Sequence, residues 1–172
     1  MPSRIEIIQD DILNLPVQAI VLPSLPSLKP ETAEQQAVHA KAGPKLAQEC
    51  AHLAPCPIGQ ARITRGYEIG ANFIIHAVGP VWGGGENNED EQLANCYNQI
   101  LELIKSFEIA SIAIPEISTG DKGFPPMRAA YIGMKELTVH LKENQDISRI
   151  ILCCQDEAGI QTYEAAFDKC TI

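Results

Sequence analysis

Basic residues are scarce in this 172-residue chain: 13 lysines and arginines stand against 22 aspartates and glutamates, a formal net charge of −9. A broad nucleic-acid or membrane surface needs clustered positive charge, so neither partner is expected. Long apolar runs are also missing. No stretch approaches the ~20 residues that span a bilayer, and the opening MPSRIEIIQDD is too polar for a secretory leader. The chain is therefore expected to be cytoplasmic. Paired cysteine spacing is absent too. Cys50, Cys56, Cys96, Cys153, Cys154 and Cys170 contain no C-x-x-C, and His39, His52, His76 and His140 are not at ligand spacing from them. Neither a disulfide framework nor a metal or other cofactor is expected. Aromatic residues make up only 5%.

What is present is an alternation of short strand-like and longer helix-like segments. RIEIIQ alternates as a strand, VQAIVLP is a continuous apolar run suited to a strand buried on both faces, and IASIAIP and SRIILCC read the same way. ETAEQQAVHAKAG predicts a helix, with Thr32 as its cap and Gly43 at its break. Residues 61–64 and 72–78 read as two strands joined by a glycine-containing turn. Leu93, Tyr97, Ile100, Leu101, Ile104 and Phe107 recur at helical spacing, as do Ala130, Met134, Leu137 and Leu141. AGIQTYEAAFDKC closes the chain as a helix. With no repeat or linker, residues 1–172 are expected to form one three-layer α/β/α domain around a central sheet. Ligands in such sheets bind beyond the carboxyl ends of the strands.

Three loops lie in that position: Asp10–Asp11, residues 24–30, and STGDKGFPP after IAIP. The last offers the Ser118 and Thr119 hydroxyls and backbone N–H groups near Gly120 and Gly123, which suit an anion. A plain strand-to-helix turn is the alternative. Asp10 or Asp11 could cap a turn, or accept a hydrogen bond from the exocyclic amine of a base. His76 within FIIHAVGP reads as a satisfied core residue. Cys50 and His52 are two apart, so on a helix they would not face each other as a dyad.

Taken together, CPIGQARITRGYEIGANFIIHAVGPVWGGGENNEDEQLANCYNQIL and IAIPEISTGDKGFPPMRAA resemble bacterial members of the macro domain family. The order and spacing of four motifs carry the resemblance over nearly the whole chain. It implies a single macro domain with a mixed sheet between helices and a cleft for ADP-ribose. Many relatives remove ADP-ribose from proteins or hydrolyse O-acetyl-ADP-ribose. By the same resemblance Asp11 matches the aspartate that accepts the adenine amine, and Ile12 follows it. Ser118, Thr119, Gly120, Gly123 and Phe124 match the phosphate loop, with Asp121 and Lys122 at its centre, where relatives carry an aliphatic and an aromatic residue.

Other positions depart from the family pattern. Leu22 and Leu25 stand where two asparagines are expected, the second of which orients the distal ribose. PETAEQQAVH replaces a glycine-rich phosphate segment, and Gln35 falls where many active relatives have a water-activating aspartate. The aromatic that stacks on adenine falls near Gln155. Three readings follow. The first is a divergent domain that binds ADP-ribose or a related nucleotide or phosphorylated ligand, without the standard hydrolase mechanism. The second is an ADP-ribosyl hydrolase, acting on an ADP-ribosylated protein or O-acetyl-ADP-ribose, with Asp121 as relocated general base in a desolvated site. The third is a ligand-free interaction module in which residues 23–30 cover the cleft.

Overall fold

A computed structural model describes residues 4–171. Six strands form one sheet: β1 (Ile5–Gln9), β2 (Ala19–Pro23), β3 (Gln60–Arg65), β4 (Phe73–Val78), β5 (Ser111–Pro115) and β6 (Arg149–Cys154). Their order is β1-β6-β5-β2-β4-β3, with every pair parallel except β3–β4. The helices are α1 (Ala33–Ala42), α2 (Pro44–Leu53), α3 (Glu89–Ser106), α4 (Pro126–Glu143) and α5 (Glu157–Cys170).

The inner strands are apolar without interruption because each is covered on both faces. Along β2, Ala19 and Val21 join Leu93 of α3, Met134 of α4 and Tyr163 of α5 in one core. Ile20 and Leu22 point the other way, to Val38 of α1 and Leu46 of α2. β4 and β6 divide in the same manner, giving three layers. Leu22, at one of the two family asparagine positions, therefore belongs to the core and is 2% exposed.

The α1 boundaries follow from local chemistry. Thr32 caps the helix, its hydroxyl accepting from Gln35 N, while Gln35 Oε1 accepts from Thr32 N in return. Gly43 ends the helix at φ 94°. It also opens α2, an element the sequence pattern did not single out. With Pro44 at its first turn, α2 buries Leu46 and Cys50. His76 is a satisfied core residue, as read from the sequence. Its Nε2 lies 2.9 Å from Thr64 Oγ1 and 3.9 Å from Cys50 Sγ. Burial pushes the imidazole down to about 3 and the Cys50 thiol up to about 11, which favours the neutral form of both. All six cysteines are free.

Among the described residues no helix is long and apolar enough to cross a membrane, and no cluster of three His, Cys, Asp or Glu could hold a metal ion.

Candidate functional site

A cleft of about 580 Å³ runs across the carboxyl ends of β1, β6, β5 and β2. It is the kind of crevice that parallel sheets use for ligands. At the β1 end it is lined by Asp10, Asp11 and Ile12, and beside them by Cys153, Cys154 and Gln155 from the end of β6. Asp11 caps a short 3₁₀ turn (Ile12–Asn14), one carboxylate oxygen accepting from Leu13 N at 3.0 Å. The cap leaves room for a further partner, because a carboxylate has more acceptor sites and Asp11 is exposed and lines the cleft. Cys153 Sγ donates to Asp10 O at 2.9 Å, which closes the floor.

The middle of the cleft is formed by the loop after β5. Ser118 takes a left-handed conformation (φ 67°), and its buried hydroxyl has no hydrogen-bond partner among the described residues. Gly120–Lys122 then make one 3₁₀ turn that closes at Gly123 (φ 75°) through Gly123 N donating to Gly120 O. The opening N–H groups of such a turn have no acceptor within it. Phe124 N donates to Ser118 O at 3.0 Å and cinches the loop.

Facing that loop is the start of α1: Thr32, Ala33, Glu34 and Gln35 all line the cleft. The first N–H groups of a helix lack intrahelical acceptors, and the helix dipole makes its N-terminus attractive to anions. This is the feature the sequence reading missed. Backbone donors do not require the glycines of the family pattern: Ala33 and Glu34, whose N–H groups the capping box leaves without an acceptor, line the cleft from an ordinary helix start. The Thr32…Gln35 capping box was the available signal.

Seven of the nine expected site residues, Asp11, Ile12, Ser118, Thr119, Gly120, Asp121 and Lys122, line the cleft together. Gly123 and Phe124 do not. Phe124 is buried with its ring centroid 4.7 Å from that of Trp82, so it anchors the loop from behind. Trp82 N donates to Lys122 O, and the Arg128 guanidinium lies over the Trp82 ring while pairing with Asp90. Gln35 is held on all sides: Oε1 accepts from Glu31 N and Thr32 N, and Nε2 donates to Pro23 O at 3.0 Å. It braces α1 against β2. Leu25 presents an apolar side chain to the cleft wall. Residues Pro23, Ser24 and Leu25 form that wall and leave the cleft open, contrary to a covering role for the segment.

Asp121 is exposed on the 3₁₀ turn and lines the cleft. Two carboxyls not singled out from the sequence are the partly buried ones. Burial raises the Glu34 carboxyl above its usual range, and the nearby Asp11 charge adds to this. Burial also raises Glu116, as does Asp156, while the Thr119 hydroxyl pulls it down. Glu116 lines the cleft and also borders a water-sized void lined by Tyr97, Thr119 and Tyr163. Lys122 reaches across the far end, its Nζ donating to Gly79 O at 2.9 Å and Ser24 O at 3.3 Å.

The Macro domain family model matches residues 31–133, which include α1 and the loop after β5. A macro domain-containing protein of Methanosarcina mazei is 42% identical over 97% of this chain and 89% of its own length. The O-acetyl-ADP-ribose deacetylase of Escherichia coli is 36% identical over 95% of each chain. Among solved structures, the Trypanosoma brucei macrodomain in complex with ADP-ribose superposes with a TM-score of 0.87 at 30% identity, covering 94% of this chain and 68% of that one. Sheet order, cleft position and sequence thus agree, and the chain belongs to the macro domain family.

Proposed function

We propose that this domain binds ADP-ribose or a closely related nucleotide in the cleft across β1, β6, β5 and β2, and that it lacks the standard hydrolase mechanism. The observation that carries the reading is the pairing, across one open cleft, of the backbone N–H groups of the loop at residues 118–122 with those of Ala33 and Glu34, which the α1 capping box leaves without an acceptor. A pyrophosphate lying between them would receive hydrogen bonds from both sides. Asp11 then stands at the base end, able to accept from an exocyclic amine. The T. brucei relative solved with ADP-ribose supports this ligand class. The absence of a standard mechanism is supported by Gln35, whose amide is fully engaged in holding α1 and carries no basic group.

Titration calorimetry with ADP-ribose, ADP and AMP tests the binding reading, and failure of all three to bind at millimolar concentration would overturn it. A hydrolase reading draws on the E. coli deacetylase relative and on the carboxyls in the cleft. It is tested by release of ADP-ribose from modified protein and of acetate from O-acetyl-ADP-ribose, using wild type and Asp121→Ala. Equal rates in the two would remove Asp121 from any mechanism, and no turnover by wild type would remove the activity.

A further inference from the structure

The end of the cleft formed by β2 and β4 carries a charge for which the reading above has no use. Lys122 is half-buried there, and its ammonium donates to the Gly79 and Ser24 carbonyls. An ammonium has three N–H donors, and no third protein acceptor meets this one among the described residues. Nor does a carboxylate pair with it: the ion pairs among the described residues are Arg128–Asp90 and Arg149–Glu6. Burial consequently disfavours the charged form of Lys122. A partly desolvated cation held by neutral carbonyls, with one donor left over, is suited to receive an anion.

Its position along the cleft is fixed by the sheet. The carboxyl ends run in the order β1, β6, β5, β2, β4, so the Asp11 carboxylate, the backbone donors of the β5 loop and the Lys122 ammonium succeed one another in line. Three strand spacings separate β1 from β2, a span of about 14 Å. Beside Lys122 the wall is Leu25, which has neither donor nor acceptor for a sugar hydroxyl. This end therefore favours charge over hydroxyl groups.

We propose that Lys122 is a terminal-phosphate subsite, so that the cleft selects a nucleoside diphosphate over the same diphosphate extended by a second sugar. The inference rests on the nucleotide-binding reading and deepens it. A terminal phosphate monoester carries close to two negative charges at neutral pH, whereas each phosphorus of an internal pyrophosphate diester carries one. The monoester also offers three oxygens to a point-charge donor. Esterifying that phosphate with a ribose removes charge from the oxygens that face Lys122 and brings sugar hydroxyls against Leu25.

The test is titration calorimetry of AMP, ADP and ADP-ribose against wild type and Lys122→Gln. Wild type is expected to bind ADP at least about tenfold tighter than ADP-ribose. Lys122→Gln should weaken ADP about tenfold or more while changing AMP by less than about threefold, since AMP does not reach position 122. ADP-ribose binding as tightly as ADP in wild type would overturn the inference and leave the broader reading standing. Equal loss for AMP and ADP in Lys122→Gln would do the same. No binding of any of the three to wild type would overturn both. Should Lys122→Gln fail to fold, the wild-type ADP to ADP-ribose ratio decides alone.

Discussion

A Cβ at position 79 would lie 2.2 Å from Ser118 Oγ and 2.8 Å from Ile117 Cγ2, so Gly79 and Ser118 fit together only because one of them has no side chain. The end of β4 and the loop after β5 are thereby pressed into contact, and the left-handed Ser118 is held at the cleft wall. Gly79→Ala is expected to cost about 1–3 kcal/mol as an overpacking change and to lower the melting temperature by several degrees. Nucleotide affinity should fall with it. Adding Ser118→Gly, which removes the clashing hydroxyl and tolerates φ 67°, should restore part of both. Thermal unfolding and calorimetry of the single and double variants check the pair. No recovery in the double variant would show that the contact is not what couples the two loops.

Asp11 both caps a turn and lines the β1 end of the cleft, where the proposed reading puts the base. Asp11→Ala should cost about 0.5–2 kcal/mol of stability through the cap. Asp11→Ser keeps a capping oxygen and should restore most of that stability, while still losing preference for adenine over guanine nucleotides. Competition binding with ADP and GDP separates the two roles. Undiminished discrimination in Asp11→Ser would exclude the carboxylate from base recognition.

Glu116 predicts a pH dependence of binding. Burial raises its pKa, and it lines the cleft together with Thr119 and Gly120, with Asp156, Tyr97, Tyr163 and Cys154 around it. Its negative charge opposes an anion in the cleft, so acidification through the raised pKa should tighten nucleotide binding. Glu116→Gln should bind more tightly than wild type above that pKa and lose the dependence. The stability sign is the same: because the folded state holds the proton more firmly, this group's contribution is full below the unfolded carboxyl range and is lost as pH rises through the folded value. Affinities measured across pH 4.5–7.5 in both proteins decide it.

Glu89 and His76 give the opposite slope. Glu89 accepts from Gly85 N, Gly83 N and Asn87 N, which draws its carboxyl down to about 2. The folded state releases this proton more readily, so the stabilisation is present above the ordinary carboxyl range and is lost as pH falls toward 2. His76, held neutral to about 3 by burial, costs stability in the interval from about 6.5 down to 3, where the unfolded chain takes up a proton and the folded chain does not. Glu89→Gln should lower the melting temperature near pH 7, with the gap to wild type closing below pH 4.5. A gap that is constant with pH would exclude a charge-assisted origin.

Most of the fold was legible because each element satisfied a local rule. The apolar runs of β2, β5 and β6 signalled burial on both faces, and Thr32 with Gly43 marked both ends of α1. α2 escaped notice, with its short stretch of polar and small residues around only Leu46 and Cys50 in the core. Within the site, Asp11 and the residues from Ser118 to Lys122 could be found because they are adjacent in sequence or sit at a strand end. Glu34 and Glu116 could not, because burial of a carboxyl is decided by elements far away in the chain. Phe124 does not line the cleft, because the direction of its ring depends on Trp82, more than forty residues earlier. The engagement of Lys122 with Gly79 and Ser24 was equally invisible, since it joins three loops that only the parallel sheet brings together.

Among the described residues β1 pairs with β6 and with no other strand, which sets a schedule for biosynthesis. At roughly 5–20 residues per second, on the order of ten to thirty seconds separate the emergence of Ile5–Gln9 from that of Arg149–Cys154. Throughout that interval Asp11 has no fixed place beside the β5 loop, and the first strand waits with its backbone groups unpaired. The cleft, which is lined by Asp11 after β1 and by Cys153, Cys154 and Gln155 at the end of β6, forms only once β6 is available.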